Sequence, residues 1–352
     1  MPIDAQNRRP LLGIALPTFE RAYLLEQALD SICCEIGTVR GEVSVTVCDN
    51  ASSDLTSAVI EAARKNHPEI VSLRNSVNIG GVANILKCVE AVQSEWIWIF
   101  PDDCLLEPGA LKRLLINLKQ AGPPIVYARC SRWSDDELDS INEIQVSRLF
   151  GDHGEIWHHL SWLPCVILHR DSIVQHIPQA YRLAGHSYPH LVLALMAARG
   201  LNSAARIAIA TRAFDVQAAI EEKKRYSWVH GAIWQFAKTL SFCLPAPSAR
   251  RVLRHCAEKE RLGRQVLACM YTEFAVIPAR TPWSLVSRYS VSMVPALLVF
   301  LWLRYLPRAL NRLFLALACW ITRGGSPGHL RQAMHRLAAR LAQPEAKLEA
   351  DF

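Results

Sequence analysis

The feature that most constrains the fold of this chain is the alternation, over its first 130 residues, of short β-rich runs with segments of helical period. The pattern predicts strands at 11–16, 43–47, 70–73, 95–100 and 125–128. It predicts helices at 20–33, at 82–92, after Asp54 as a cap, and from Pro108 as a first residue. Such an alternation is typical of βαβ units. We therefore predict an α/β fold with a mainly parallel, Rossmann-like sheet.

The composition favours a packed core of one large or two medium domains. The 352 residues are 51% hydrophobic, and 16 Gly and 19 Pro are too few for a low-complexity linker protein. The sequence shows no internal repeat that would indicate a solenoid. It has neither a Walker A loop nor a Gly-x-Gly-x-x-Gly loop, which excludes a P-loop NTPase and a nicotinamide-dependent dehydrogenase.

Polar residues follow three of the predicted strands at the point where each strand ends. They occupy residues 17–20, 48–52 and 101–104. Because the carboxyl ends of parallel strands meet at one edge of a sheet, these loops should converge where open α/β sheets bind their ligands.

The adjacent acids Asp102 and Asp103 carry the most chemistry in these loops. The sequence has no Lys or Arg for several residues on either side, so the two carboxylates repel each other unless a cation neutralises them. Hard divalent ions prefer such oxygen ligands, and a metal-bound phosphate would suit the pair. The alternative is that the acids merely cap the following helix.

Four motifs in series resemble those of the family 2 glycosyltransferases, which have the GT-A fold. They stand in the family's order and at its usual spacings. They are Pro17-Thr18-Phe19 after the first strand, the Asp49-Asn50-Ala51-Ser52-Ser53-Asp54 turn, Asn78-x-Gly80-Gly81-x-x-Asn84 at a helix start, and the strand followed by Asp102-Asp103. The chain is most similar to the O-antigen abequosyltransferase-like branch, over about residues 10–200.

The resemblance implies a nucleotide-sugar donor site. In the family the acid at the position of Asp49 contacts the nucleotide base, and the loop of the first strand lies against base and ribose. The residues so implicated are Pro17, Thr18, Phe19, Glu20, Asp49, Asn78, Gly80, Gly81 and Asp102. The alternative for Asp49 is a turn-forming residue, and for the glycines a simple turn.

By the same resemblance, Asp103 would bind Mg²⁺ or Mn²⁺, with Asp102 toward the ribose or the same metal. The metal would act as a Lewis acid for the departing nucleoside diphosphate. Many relatives have a third acid where this chain has Cys104. We interpret that departure as a change in specificity.

The general base expected of an inverting transferase is the least clear part of the site. Relatives often have a Glu-Asp pair near the start of a helix, at positions that fall here on Tyr188 and Pro189. His186 and His190 flank the gap, and histidine has a suitable pKa. A structural histidine is the alternative. Two further candidates are Asp135 and Asp136, which could instead be a solvated loop.

The C-terminal third is basic and apolar. Residues 275–343 contain nine Arg and no Asp or Glu, and apolar runs at 290–303 and 313–321 fall short of the 18 to 20 residues, roughly, that cross a bilayer. Arginine and aromatic flanks favour an interfacial seat on anionic lipid. A core helix pair or a re-entrant hairpin remains open, and no motif accompanies the charge that would indicate nucleic acid.

These features predict two regions and one function. Residues 1–220 form a GT-A domain, with nucleotide-sugar binding at about 10–130 and the acceptor side at about 131–220, and residues 221–352 form a helical, membrane-associating region. The odd count of 11 cysteines and the polar N-terminus favour the cytoplasm, at the inner membrane face. The predicted function is transfer of a sugar to a glycan or polyprenyl-phosphate-linked glycan acceptor. A noncatalytic scaffold of a polysaccharide-assembly complex is the alternative, and a sugar-phosphate nucleotidyltransferase is a weak third.

Overall fold

A computed structural model describes residues 9–39, 41–122, 124–131, 143–151, 154, 156–185, 188–201, 205–216, 233–259 and 298. The chain divides into two compact units: Met1–Glu222 with Phe242–Pro245, and Lys223–Ser241 with Ala246–Phe352. The predicted boundary near residue 220 stays a prediction, because it falls outside the described residues.

The described strands all lie in the first unit. They are β1 Leu12–Thr18, β2 Val43–Asp49, β3 Ile70–Arg74, β4 Trp96–Ile99, β5 Cys104–Leu106, β6 Ile125–Cys130, β7 Glu143–Gln145, β8 Val166–His169 and β9 Arg206–Val216.

Helices connect and follow these strands. They are α1 Ala22–Ile36, α2 Thr56–Asn66, α3 Gly81–Ala91, α4 Ala110–Gln120, α5 Val146–Leu149, α6 Ile156–His159, α7 Arg170–Ile173, α8 Ile177–Arg182, α9 Pro189–Arg199, α10 Gln235–Cys243 and α11 Ala246–Lys259. Short 3₁₀ turns occur at Gly37–Val39, Leu163–Cys165 and Val174–His176.

One mixed sheet runs in the order β3-β2-β1-β4-β8-β6-β9-β5, and β7 also pairs with β9. Neighbours among β3, β2, β1 and β4 are parallel, as are β6 and β9. Strand β8 is antiparallel to both β4 and β6, which joins the parallel N-terminal block to the rest of the sheet. The predicted α/β fold and its parallel N-terminal sheet are confirmed.

Close packing at the centre of the sheet explains why residue 13, on β1, is a glycine. A Cβ added to Gly13 on β1 would lie 2.2 Å from a methyl carbon of Val92, so only glycine fits there without movement. On β4, the indole of Trp98 is fully buried and donates from Nε1 to the carbonyl oxygen of Pro164 at 2.7 Å. That bond ties the segment before β8 to the central strand.

Two local predictions need correction. Pro108 does not open helix α4, which begins at Ala110 after Gly109 in a left-handed conformation with φ 73°. The chain instead forms β5 directly after the acid pair, and β5 pairs antiparallel with β9. Helix capping by Asp102 and Asp103 is therefore excluded, because the next element is a strand. Sequence periodicity did not reveal β5, since it is three residues long.

Of the region predicted to associate with a membrane, residues 221–352, the structure describes 233–259 and 298. The apolar runs at 290–303 and 313–321 lie outside the described residues, apart from the exposed Leu298. Among the helices that the structure describes, none is both long enough and apolar enough to traverse a bilayer.

Candidate functional site

The loops after β1, β2 and β4 meet at one edge of the sheet. In the parallel register Thr18 pairs with Asp49, so the ends of β1 and β2 are level. The hydroxyl of Thr18 donates to Oδ2 of Asp102 at 2.7 Å, which joins the loop after β4 to the end of β1. The expected convergence of these polar loops is therefore present in the fold.

A guanidinium lies between the two acids. Nη1 of Arg21 is 3.0 Å from Oδ1 of Asp102 and 3.5 Å from Oδ2 of Asp103. The acid pair predicted a cation here, but its sequence neighbourhood did not indicate Arg21, which is 81 residues away along the chain. Its position directly after the first-strand motif was the available signal.

The burial of Asp102 and its contacts with Thr18 and Arg21 have opposite effects on its pKa. Its side chain is only 5% exposed, and this burial raises its pKa to about 6, although the Arg21 charge and the Thr18 hydroxyl both act to lower the pKa. The side chain of Asp103 is 42% exposed. One acid is thus held inside the protein and its neighbour faces solvent.

Asp49 organises the loop after β2. Its Oδ1 accepts hydrogen bonds from the backbone N–H of Ser52, at 2.9 Å, and from the Ser52 hydroxyl, and its Oδ2 pairs with Arg74. A second nitrogen of Arg74 donates to the carbonyl oxygen of Ser52 at 2.6 Å. The loop turns through Ala51, whose φ is 66°. This geometry favours the alternative that Asp49 forms the turn. Arg74, which the sequence motifs did not indicate, braces the same loop.

Four asparagines join the second and third motifs by side-chain hydrogen bonds. The amide nitrogen of Asn75 donates to the side-chain oxygens of Asn50 and Asn84, both at 2.9 Å. Asn84, on α3, donates to the carbonyl oxygen of Cys48 at 2.9 Å. Asn50 in turn donates to Asn78 at 2.8 Å. Asn50 and Asn75 were missed as bracing residues, because asparagine in a loop carries no periodic signal.

The glycine motif at the start of α3 is open. Gly80 has φ 86°, which favours glycine, and its N–H donates to the side chain of Asn78 at 2.9 Å. A Cβ built on Gly80 or Gly81 would meet no described atom within 4 Å. Packing within the described protein therefore does not require the absence of a side chain at Gly81, and the exposed backbone is accessible to a ligand.

Glu20 and Phe19 continue the loop after β1. Oε1 of Glu20 accepts from the N–H of Ser53 at 2.6 Å, so this carboxylate bridges to the Asp49 loop. Glu20 adopts φ 54°, in the left-handed region, while Phe19 is 39% exposed and Pro17 is half-buried. Beside them an open pocket is lined by Glu20, Arg21, Ala22, Tyr23, Leu24, Asp54 and Leu55.

Asp54 fixes the starts of two helices at this pocket. It lies one residue before the N-cap of α2, its Oδ1 accepts from the N–H of Thr56 at 3.0 Å, and its Oδ2 accepts from the N–H of Ala22 at 3.1 Å. Partial burial acts to raise its pKa, yet these hydrogen bonds leave the pKa lower than usual. Asp54 therefore anchors the chain that carries Arg21.

Of the four predicted base residues, His190 alone lies among the residues that the structure describes. His190, on α9, is 2% exposed, and its Nε2 is 2.9 Å from the carbonyl oxygen of Ser161. Burial lowers its pKa to about 4, against a smaller raising effect of backbone hydrogen bonds. This environment favours the structural alternative for His190. The other candidates, His186, Asp135 and Asp136, lie outside the described residues.

Asp103 fits the role of a magnesium or manganese ligand. Such ions keep several waters and bind through one or two carboxylates together with substrate phosphates, which suits an exposed acid. Within the described residues no three Asp, Glu, His or Cys side chains are grouped for metal binding. Both oxygens of Asp102 already accept hydrogen bonds, so Asp103 is the better placed of the two. Cys104 is buried on β5, and burial raises the pKa of its thiol above the ordinary range.

Known proteins are similar to the part of the chain that contains the four motifs. Residues 14–164 fit the model of glycosyl transferase family 2. The chain is 30% identical over 204 residues to abequosyltransferase RfbV of Salmonella typhimurium, which covers 52% of this chain and 60% of that protein. It is 24% identical over 147 residues to the succinoglycan biosynthesis protein ExoO of Rhizobium meliloti, covering 41% of each. The chain thus spans less than two thirds of these relatives.

Solved structures share the fold at low sequence identity. One is S. aureus TarS 1-349 in complex with UDP-GlcNAc, with TM-score 0.54 and 14% identity, covering 96% of this chain and 92% of that one. Another is the mannosyltransferase PcManGT of Pyrobaculum calidifontis in complex with GDP-Man and Mn²⁺, with TM-score 0.54 and 15% identity, covering 95% and 88%. Residues 14–164 thus match glycosyl transferase family 2, the family that the four motifs predicted.

Proposed function

We propose that this protein transfers a sugar from a nucleotide-sugar donor to a glycan or lipid-linked glycan acceptor in the synthesis of a cell-surface polysaccharide. The observation that carries the proposal is the acid pair at the carboxyl edge of the sheet. Asp102 is buried between Thr18 and Arg21, and Asp103 is exposed beside it. RfbV and ExoO, which match this chain, are named for abequosyl transfer and succinoglycan synthesis.

In this proposal the donor lies across the three loops. Phe19 covers the nucleotide base, since an exposed aromatic ring can stack on it. Asp49 stays a proposed base contact, and it also holds the loop at its position through Ser52 and Arg74. The open backbone of Gly80 and Gly81 lets the donor approach closely.

The two acids have different proposed roles: Asp103 binds the metal, and Asp102 holds the loop in place. Asp103 would hold Mg²⁺ or Mn²⁺, which supplies Lewis-acid stabilisation of the leaving diphosphate when bound. The Thr18 hydroxyl fixes the orientation of Asp102, so the loop that presents Asp103 is already ordered before binding. The inverting outcome and the identity of the general base remain proposals from the family resemblance.

A thermal-shift panel tests the donor site. We expect UDP, GDP, CDP or dTDP to raise the melting temperature in the presence of Mn²⁺, because a ligand that binds only the folded state stabilises it. Asp103→Ala should abolish the metal-dependent shift. Asp171→Ala, which removes an exposed acid on α7, should keep it. Absence of a shift with every nucleotide, with and without Mn²⁺, would contradict the proposed function.

A noncatalytic scaffold is the second candidate, and one observation favours it. Helix α9 begins with Tyr188 as its N-cap and Pro189 in its first turn, where relatives often have two acids, and its His190 is buried. The same panel separates the two candidates, since a scaffold without donor chemistry should show no metal-dependent shift with any nucleotide.

Attachment at the inner face of the cytoplasmic membrane is part of the proposal. In the second unit, helix α11 buries Ala249, Val252 and Leu253 and exposes Arg250, Arg251 and Arg254. Three exposed guanidiniums on one helix favour an anionic surface. The protein should float with vesicles rich in phosphatidylglycerol and not with phosphatidylcholine vesicles, and equal recovery from both would contradict attachment through charge.

A further inference from the structure

Arg21 occupies the position that a bound cation would take between the two acids. Its Nη1 is within 3.0 Å of Asp102 and 3.5 Å of Asp103, so one nitrogen contacts both carboxylates. We infer that Arg21 is an internal counter-ion of the acid pair and that a divalent metal must displace it to bind Asp103. The inference rests on the proposed function, because it concerns the same site.

The backbone holds Arg21 at this position without burying it. Arg21 is the N-cap residue of α1, and the N–H of the next residue, Ala22, donates to Asp54. Its side chain remains 34% exposed. The guanidinium can therefore leave the acids for solvent by rotating about its side-chain bonds, while its backbone stays fixed.

Charge balance explains why the guanidinium and the metal compete. One guanidinium neutralises one of the two carboxylate charges, and a third acid is missing because the next residue is Cys104. A divalent ion at Asp103 would lie a few ångströms from the positive Arg21, and like charges at that separation repel even near the protein surface. Metal binding is weakened by this repulsion unless the guanidinium moves away.

Manganese titration without any nucleotide tests the inference, with free Mn²⁺ measured by electron paramagnetic resonance. Arg21→Gln removes the charge and should bind Mn²⁺ at least about fivefold more tightly than the wild type. Arg21→Lys keeps the charge and should stay close to the wild type. Arg64→Gln removes a guanidinium that pairs with Glu61 on α2, and it should leave the affinity unchanged.

A second measurement does not depend on the folding of a neutral variant. In the wild type, the Nε–Hε resonance of Arg21 is assigned by its loss in Arg21→Lys, and it should shift on addition of Mg²⁺ as the guanidinium leaves the acids. The inference is overturned if Arg21→Gln binds Mn²⁺ no better than the wild type, or if the resonance does not respond. The nucleotide panel decides the proposed function separately, because metal affinity here is measured without a nucleotide.

Discussion

Two regions of the first unit bury ionisable groups in opposite ways. At the carboxyl edge of β1, β2 and β4, Asp102 is buried against a hydroxyl and a guanidinium. On helix α9, His190 is buried, and its Nε2 lies 2.9 Å from the backbone carbonyl oxygen of Ser161. Burial moves both groups toward the neutral form, since it raises the pKa of the acid and lowers the pKa of the histidine.

The surroundings of Asp102 and His190 differ in whether they stabilise the charged form of the buried group. Asp102 has partners that favour its charged form, so its pKa of about 6 leaves it ionised at neutral pH. His190, with a pKa of about 4, is neutral under the same conditions and sits in a helix whose residues are almost all buried. The edge of the sheet thus stabilises charge, whereas helix α9 contributes packing.

The largest expected effect concerns the pH dependence of stability through His190. Its folded-state pKa lies below the unfolded value, so it contributes stability that is fully present above pH 6.5 and is lost as the pH falls toward 4. The difference of about 2.5 pKa units corresponds to about 3 kcal/mol of unfolding free energy. His190→Gln removes this titration, so the wild type should lose about that much more stability than the variant over this range.

Urea unfolding at several pH values measures this difference, and activity at neutral pH gives an independent reading. His67→Gln is the matched control, because it removes a half-buried histidine at the end of α2. If His190 were the general base, His190→Gln would reduce kcat by about 100-fold or more. That result would contradict the conclusion that His190 has a structural role, in contrast to the acids at the edge of the sheet.

An intermediate effect is expected at the polar edge. Asn84→Ala leaves the carbonyl oxygen of Cys48 without its side-chain donor and removes the acceptor of one Asn75 bond. Loss of a buried hydrogen-bond partner should lower the unfolding free energy by about 2 kcal/mol. The same substitution at the exposed Asn66 should change it by less than about 0.5 kcal/mol. Equal effects at the two positions would show that the asparagine cluster adds no stability.

The smallest expected effect is at the turn after β2. Ala51 has φ 66°, so Ala51→Gly relieves a left-handed conformation and should raise the unfolding free energy by about 0.5 kcal/mol. Ala62→Gly, in the exposed middle of α2, should lower it by about 0.5 to 1 kcal/mol. The test is whether the two substitutions change the unfolding free energy in opposite directions. A loss of stability at both positions would show that the turn is not strained.

Much of the N-terminal fold could be predicted because its signals are local. Strands β1 to β4 and β6, and the helices between the first of them, follow from apolar runs and helical periods that a short window of sequence contains. The four motifs also predicted the family that residues 14–164 match, since each stands at the end of a predicted strand or the start of a predicted helix. Strand β5 was missed because three residues are too few to show a period.

Local sequence signals were enough to predict the α/β fold class, the family that residues 14–164 match, and the convergence of three polar loops at one edge. The tertiary structure decided which charges meet, with Arg21 between the acids and Arg74 against Asp49. It also decided that His190 is buried. The physical reason is that ion pairing and desolvation depend on the order of the strands and on packing between segments far apart in the chain, whereas periodicity reports only on neighbouring residues.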